Sequence, residues 1–221
     1  GTYQVTLIDS NFCGIDSATT TVIVLSAPVA GVAAPVDTAC QGATLTFNNT
    51  GTAGYTYKWN FGDNGTWTAF PFGNVTHTYN TSGTFTVAVA AIISAGNSSC
   101  RDTDRVVVTI LPPPTAGFTA SPLSGCDNLT VNYTDNSVGG VAWVWKSNGT
   151  TFSSIQNPTS QTYTTGTYTI SQIVTSNNGC TATATQTVNV YASPTASITV
   201  GTSCQNANTS FTDASTSSVG D

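Results

Sequence analysis

The residues of this chain that could carry out chemistry are few: six cysteines, a single histidine and a scattering of acidic and aromatic side chains. Catalysis by a general base would centre on His77, which has no counterpart elsewhere in the sequence. No arrangement of Ser, His and Asp, or of Cys and His, suggests an activated nucleophile. We therefore expect a protein that is not an enzyme and that needs no cofactor.

Asp63 lies in the segment Phe-Gly-Asp-Asn-Gly, where it has two interpretations, a Ca²⁺ ligand or a turn residue. Calcium takes roughly six to eight oxygen ligands, several of them carboxylates, and Asp63 has no acidic neighbour. Asp and Asn side chains, in contrast, hydrogen-bond their own backbone in turns of this composition. We favour the turn residue and predict no metal site.

Trp67, Phe70 and Phe72 form the ligand-like patch of the sequence, because three large rings crowd into one short segment. Two uses are open for them. Exposed rings would make a platform on which a surface glycan stacks. Rings turned inward would pack sideways against another strand, which is the commoner use.

Charged residues make up only 6% of the chain, with 4 Lys and Arg against 10 Asp and Glu, and the net charge is −6. Such a surface offers no electrostatic attraction to a phosphate backbone or to anionic lipid, so we expect no nucleic-acid partner. The apolar stretches are interrupted by Ser, Pro and Gly well short of the roughly 20 residues of a spanning helix. We expect no membrane insertion.

The composition also predicts the fold class. Met is absent, Glu, Lys and Arg are scarce, and Thr, Val, Ile, Tyr and Phe take their place. These replacements suit a pleated sheet better than a helix. The sequence therefore predicts an all-β protein.

An internal repeat with a period of about 80 residues organises the chain. Segments that begin Gly-Thr and read as strands start at Gly1, Gly83 and Gly166, and each is followed by a cysteine in a turn-like segment. Short junctions marked by proline separate the copies and favour semi-rigid modules. The predicted pieces are 1–27, the closing hairpin of module one; 28–111, the complete module two; 112–191, the complete module three; and 192–221, the start of module four.

Module two has strand-like segments at the spacing of roughly 8 to 12 residues that is typical of a sandwich. They are 29–33, 43–48, 55–61, 74–79, 84–93 and 105–111. About seven strands in about 80 residues favour tandem immunoglobulin-like β-sandwiches. Such a domain normally buries one large aromatic of its third strand between the sheets. We therefore place Trp59 and Trp145 in the cores rather than at a carbohydrate site.

Module two contains the motifs Trp59-Asn-Phe-Gly-Asp63, His77-Thr-Tyr79 and Gly83-Thr-Phe85-Thr-Val87. Together they resemble the pattern of the PKD domain, the polycystic-kidney-disease type of immunoglobulin-like sandwich. Module three resembles a degenerate copy, with Gln161 in the place of the histidine. The resemblance gives His77 a structural, hydrogen-bonded role.

The resemblance implies a stalk or adhesin segment of a secreted or cell-surface protein, similar to the long surface proteins and filaments of Bacteroidetes-type bacteria. The expected partners are neighbouring modules, other copies in a fibre and surface glycans. Because such modules also serve as spacers in secreted chitinases and proteases, the alternative is a glycan-binding accessory region of a secreted hydrolase. In that case Trp67, Phe70 and Phe72 would form the glycan platform.

Six cysteines, an even number in a repeat of extracellular character, favour disulfides and an oxidising compartment. In the implied sandwich topology Cys40 and Cys100 of module two lie at opposite poles. Strands of about six residues would separate them by about 20 Å, whereas a bridge needs Cα atoms within about 7 Å. The sequence therefore predicts no bridge inside the module.

A head-to-tail stack would instead bring the pole with Cys40 against the pole of module three with Cys180. We predict a Cys40–Cys180 staple between consecutive modules, and buried free thiols are the other interpretation. The remaining cysteines would have partners outside residues 1–221: Cys13, Cys100, Cys126 and Cys204.

Two acidic triplets, Asp16-Ser17-Ala and Asp37-Thr38-Ala, look like bacterial O-glycosylation sites. They predict modification of Ser17 and Thr38. Taken with the repeat and the cysteines, they favour an extracellular structural segment whose modules are joined covalently.

Overall fold

The computed structural model describes residues 1–95 and 98–217, which contain twenty β-strands and no helix. The prediction of an all-β chain of tandem β-sandwiches is confirmed. No helix of the length and apolar character needed to span a bilayer occurs among these residues. The chain divides into two compact units at the junction of Pro112 and Pro113.

The first unit begins with a long antiparallel hairpin of β1 (Thr2–Asn11) and β2 (Gly14–Ile23), followed by a sandwich. The sandwich strands are β3 (Val32–Ala33), β4 (Thr38–Cys40), β5 (Thr44–Asn49), β6 (Thr56–Asn60), β7 (Thr68–Phe70), β8 (Val75–Thr78), β9 (Gly83–Ala95) and β10 (Ser98–Leu111). One sheet has the order β3-β5-β8 and the other the order β4-β10-β9-β6-β7. Strand β4 pairs parallel with β10, so the chain crosses from the first sheet to the second after β3.

The second unit repeats this topology. Its strands are β11 (Phe118–Ser121), β12 (Ser124–Cys126), β13 (Leu129–Asp135), β14 (Gly140–Ser147), β15 (Thr150–Ser153), β16 (Gln161–Tyr163), β17 (Gly166–Ser176), β18 (Thr181–Tyr191), β19 (Ile198–Val200) and β20 (Phe211–Asp213). The sheets β11-β13-β16 and β12-β18-β17-β14-β15 have the strand order of the first sandwich, and β19 pairs with β20 beyond them. The repeat seen in the sequence is therefore a repeat of eight-stranded sandwiches.

All six strands predicted in module two are present, but the structure adds β4 and β7. Each of these has only three residues, too few for an alternating pattern to appear in the sequence. Strands β9 and β10 are also longer than predicted, with 13 and 14 residues.

Alternation of apolar and polar residues builds both cores. In β5 the side chains of Leu45 and Phe47 are buried and their neighbours face outward, as expected for a strand with one face on a core. Trp59 and Trp145 are fully buried at the centres of the two cores. Trp59 stacks on Phe61, with ring centroids 6.1 Å apart.

Candidate functional site

Each complete sandwich has two cysteines at opposite ends. One lies near the start of the last long strand, and the other lies on the short strand that pairs with the end of that long strand. In module two, Cys40 pairs with Leu111 at the end of β10, and Cys100 pairs with Ile93 near the start of β10. Eleven positions of β10 separate Cys100 from Leu111, which is about 36 Å at roughly 3.3 Å per residue. The separation is larger than the 20 Å expected from the sequence because β10 is longer than predicted.

Module three has the same arrangement. Cys126 pairs with Tyr191, the last residue of β18, and Cys180 directly precedes the first residue of that strand. The hairpin turn before β18 is closed by hydrogen bonds from Ser176 N to Cys180 O and from Gly179 N to Ser176 O, 2.8 and 2.9 Å long. Each module therefore has a cysteine at each of its two poles and none between them.

Cys40 and Cys180 are both disulfide-bonded, whereas Cys13, Cys100, Cys126 and Cys204 are free. Because Cys100 is free, Cys40 does not pair with it. This agrees with the prediction that no bridge closes inside module two.

A turn that the sequence analysis missed positions the cysteines at the β4 end of each module. The residue two places after the cysteine has a positive φ in all three copies: Gly42 at 85°, Asn128 at 59° and Asn206 at 68°. Gly and Asn are the residues that adopt this left-handed conformation most readily. The signal was present in the sequence as Cys, any residue, then Gly or Asn, three times.

His77 and Asp63 form a hydrogen-bonded pair at one edge of the first core. His77 Nε2 lies 2.7 Å from Asp63 Oδ2, and both side chains are about one-fifth to one-quarter exposed. The imidazole stacks on Phe61 at 4.1 Å with an interplanar angle of 2°, and its edge meets Tyr79 at 4.7 Å. Four sequence-predicted motif residues are thus brought together, and the imidazole is held between aromatic rings.

Tyr79 completes this cluster as a hydrogen-bond donor. Its hydroxyl donates to the carbonyl of Phe61 at 2.9 Å. Burial raises the pKa of the Tyr79 hydroxyl far above its ordinary value, and the Asp63 carboxylate raises it further. A hydroxyl held neutral in this way anchors the loop after β6 and is unsuited to proton transfer near neutral pH.

Module three lacks the histidine of this pair and has a tyrosine pair in its core instead. The hydroxyls of Tyr133 and Tyr163 lie 2.7 Å apart in the core, and Gln161 stands on β16 where module two has His77 on β8. The His77–Asp63 hydrogen bond is therefore not required by the sandwich itself. Among the described residues, no group of three or more His, Cys, Asp or Glu side chains is arranged to hold a metal ion.

The three aromatic residues proposed as a glycan platform do not lie together. Phe70 turns inward and packs edge-on against Phe61 at 6.2 Å. Phe72 contacts Tyr57 at 5.5 Å, and Trp67 lies at the other end of β7 with its ring 4.5 Å from the Arg101 guanidinium carbon. Trp67 and Phe72 remain 37% and 46% exposed. Trp67 thus belongs to a different surface from Phe72, one shared with Arg101.

The two candidate glycosylation residues are both exposed and both lie on strands. Ser17 is on β2, and its backbone N–H donates to Asp16 Oδ1 at 2.8 Å. Thr38 begins β4, and its hydroxyl donates to Asp37 Oδ1 at 3.4 Å.

Residues 25–108 match the family model of the PKD domain. The resemblance carried by the motifs from Trp59 to Val87 is therefore confirmed. The PKD match includes the His77–Asp63 pair and Cys40, and it ends just before the last strand of the sandwich does.

Solved structures with similar folds include bacterial adhesins. A Ca²⁺-stabilised adhesin that helps an Antarctic bacterium bind ice has 15% identity, covers 90% of this chain and 59% of its own chain, and has a TM-score of 0.38. A 1.5-MDa bacterial ice-binding adhesin has 14% identity, with 86% and 74% coverage and a TM-score of 0.39. Fibronectin(III)-like modules of Clostridium thermocellum have 16% identity, with 74% and 93% coverage and a TM-score of 0.34. No curated protein matches the chain.

Proposed function

We propose that this chain is a non-enzymatic structural segment of an extracellular stalk, adhesin or filament, in which PKD-like sandwiches follow one another and are joined end to end by disulfides. The observation that carries the proposal is the placement of cysteines at both poles of each sandwich, together with the disulfide-bonded state of Cys40 and Cys180. A cysteine at a pole is suited to link a module to its neighbour along the chain.

The proposed link joins Cys40 to Cys180. Cys40 stands at the β4 pole of module two, directly before the left-handed turn at Gly42. Cys180 stands in the β17–β18 hairpin turn of module three. Joining these two poles covalently would enclose most of both modules in one loop, so a pulling force would pass through the disulfide rather than through the sheets.

The same logic assigns roles to the four free cysteines. Cys126 and Cys204 occupy the position of Cys40 in later copies, and Cys13 and Cys100 correspond to Cys180 in earlier ones. In a longer array they would pair with modules outside residues 1–221. Persistent disulfides of this kind require an oxidising compartment, which supports an extracellular or cell-surface location.

Non-reducing peptide mapping by mass spectrometry tests the staple. Trypsin alone is insufficient, because Cys13 and Cys40 both precede Lys58 and because Cys180 and Cys204 both follow Lys146. Cleavage before Asp16 and after Tyr191, by an Asp-specific protease with chymotrypsin, separates the members of each pair. A linked peptide containing Cys40 and Cys180 supports the proposal, and any other partner for Cys40 overturns it.

Glycosylation of Ser17 and Thr38 belongs to the same proposal, since both residues are exposed and each follows an aspartate. Peptide mass mapping of protein from its native source would show the added sugars on the peptides that contain Ser17 and Thr38. A mass that matches the bare sequence at both peptides would contradict this part of the proposal without affecting the staple.

A glycan-binding role is the second candidate, and the exposure of Trp67 favours it. A polysaccharide pull-down with the Trp67→Ala variant would separate this role from a purely structural one. Phe70 is unsuited to such a platform because its ring faces the core.

A further inference from the structure

The outer face of the five-stranded sheet in module two gathers positive charge. In β10 the side chains of Val108 and Ile110 are buried in the core, so the alternate positions, including Arg101 and Arg105, face outward. In β6 the burial of the residues on either side of Lys58 places its side chain on the same outer face.

Strand register brings the three cations together. Lys58 pairs with Ala90 of β9, and Ala90 pairs with Thr103 of β10. Thr103 lies midway between Arg101 and Arg105 along β10, so Lys58 is level with the midpoint between the two arginines. The Cα atoms of Arg101 and Arg105 are about 13 Å apart at roughly 3.3 Å per residue. Three of the chain's four Lys and Arg residues therefore share one sheet face.

The acidic residues of the same strand point the other way. Asp102 Oδ2 accepts a hydrogen bond from Ala30 N, and Asp104 Oδ2 accepts one from Val32 N, both at 2.9 Å. These two hydrogen bonds hold Ala30 and the first residue of β3 against the inner side of β10. In the described part of these five strands, no outward position carries Asp or Glu, and neither Lys58, Arg101 nor Arg105 forms an ion pair. The cations are thus left without a neutralising partner in a chain whose net charge is −6.

Trp67 lies on this face and is oriented by Arg101. The guanidinium is 4.5 Å from the indole centroid, and Arg101 Nε donates to Thr103 Oγ1 at 3.2 Å. Since Arg101 is on β10 and Trp67 adjoins β7, two strands lie between them, so both side chains extend across the sheet. Ala88 and Ala90, which face the same way, are only 6% and 0% exposed. Their small size leaves room for the long side chains to lie flat.

We propose that this basic face, made of Lys58, Trp67, Arg101 and Arg105, binds an acidic polysaccharide with uronate carboxylates. The partly exposed indole offers an apolar surface against which a pyranose ring can stack. The guanidinium groups offer paired N–H donors that match a carboxylate, and Lys58 adds a point charge between them. This inference rests on the glycan-binding candidate proposed above and does not depend on the proposed disulfide staple.

Charge and size distinguish a polysaccharide from nucleic acid as the ligand. Nucleic-acid binding rests on neutralising several phosphates, commonly about 6–10 in proteins that bind tightly. The basic face has three cations, and the rest of the chain is acidic. A polymer with one carboxylate per sugar and apolar ring faces fits three cations and one indole better.

The test is binding of polygalacturonate to the 221-residue chain at low salt, with fully methyl-esterified polygalacturonate as the neutral control. We expect binding of the free acid only, weakening as salt is raised. The variant K58Q/R101Q/R105Q should lose at least ten-fold in affinity, and Lys146→Gln, which removes the fourth cation, should change it less than two-fold. Urea denaturation of every variant shows whether the fold is retained.

A second measurement addresses the indole directly. Trp67→Phe keeps an aromatic ring under Arg101 and removes the fluorescence of Trp67 alone. We expect polygalacturonate to shift the emission of the native chain, and the shift to be absent in Trp67→Phe. Equal binding of the esterified polymer, an equal loss in Lys146→Gln, or binding of DNA or anionic vesicles as tight as that of polygalacturonate would each overturn the proposal.

Discussion

Cys40 and Cys100 lie at opposite ends of strand β10, about 36 Å apart at roughly 3.3 Å per residue, although both belong to one module. Neither a change of side-chain rotamer nor a local backbone motion can close that distance, because a disulfide needs Cα atoms within about 7 Å. The β-sandwich thus acts as a spacer that holds its two cysteines apart. A module built in this way can be cross-linked only through its ends.

The first prediction concerns behaviour under force. The proposed Cys40–Cys180 staple encloses residues 41–179, which correspond to about 480 Å of extended chain at roughly 3.5 Å per residue. In single-molecule pulling from the two termini, we expect the oxidised chain to reach a final length shorter by this amount than the Cys40→Ser variant. Reduction of the native chain should restore the missing length.

Cys126→Ser is the matched control, because Cys126 occupies the position of Cys40 in the next module and is free. It should leave the extension of the oxidised chain unchanged. Equal final lengths for the oxidised native chain and Cys40→Ser would show that the staple does not enclose this segment.

The second prediction concerns the turn after the cysteine. Gly42 has a φ of 85°, and a Cβ at this position would meet no atom within 4 Å. Replacement therefore tests backbone conformation without a steric clash. We expect Gly42→Ala to cost about 1–2 kcal/mol, and Gly42→Asn to cost clearly less, because Asn128 and Asn206 adopt the same conformation in the other copies. Urea denaturation measures both, and an equal cost for Ala and Asn would contradict the expectation.

The sequence was sufficient to predict the repeat, the sandwich and the separation of Cys40 from Cys100, because each depends on patterns that recur along the chain. The basic face could not be predicted, because Lys58, Arg101 and Arg105 become neighbours only through the strand order β10-β9-β6. Phe70 was grouped with Trp67 and Phe72 for a similar reason. Nearness in sequence does not show that one ring of a short edge strand faces the core.

The third prediction compares the two core tryptophans. Trp145 Nε1 donates to the carbonyl of Ile155 at 3.0 Å, whereas Trp59 Nε1 is buried without a partner among the described residues. Replacement by Phe leaves a similar cavity at either site. Trp145→Phe additionally loses a hydrogen bond, worth about 0.5–1.5 kcal/mol, and Trp59→Phe removes an unsatisfied donor.

We therefore expect Trp145→Phe to destabilise its sandwich by about 1 kcal/mol more than Trp59→Phe destabilises the other. Hydrogen exchange with mass spectrometry reports on each sandwich separately and does not depend on tryptophan fluorescence. A larger loss for Trp59→Phe would indicate that its indole N–H has a partner in solution, such as a buried water.

The last prediction concerns pH and rests on Asp135. Its Oδ1 accepts hydrogen bonds from Gln172 Nε2 at 2.6 Å and from Ser137 N at 3.0 Å, and its Oδ2 accepts one from Gln156 Nε2 at 2.9 Å. Burial acts to raise the pKa of Asp135, but these hydrogen bonds outweigh it and hold the pKa below the usual range for Asp. A carboxyl with a lowered pKa in the folded state stabilises the fold above its unfolded pKa, and this contribution is lost as the pH falls through the folded value.

Module two provides a natural reference for this site. Asn49 pairs with Val32 as Asp135 pairs with Phe118, and each accepts a hydrogen bond from the N–H two residues later through Oδ1. The turn therefore forms without a charge. Asp135→Asn should keep the turn while removing the titration, at a cost of about 1–3 kcal/mol at pH 7, because hydrogen bonds to a charged acceptor are the stronger ones.

The stability of the native chain and of Asp135→Asn is measured by urea denaturation between pH 2 and pH 7. Hydrogen exchange is used to monitor the unfolding of module three. We expect the difference in stability to be constant above about pH 5 and to shrink as the pH falls below about 4, near the ordinary pKa of Asp. Glu at this position would retain the charge but place it one methylene further out, so Asp135→Glu should lose stability at neutral pH and keep a dependence on pH. A difference between the native chain and Asp135→Asn that does not change with pH would show that the carboxylate of Asp135 contributes through shape alone.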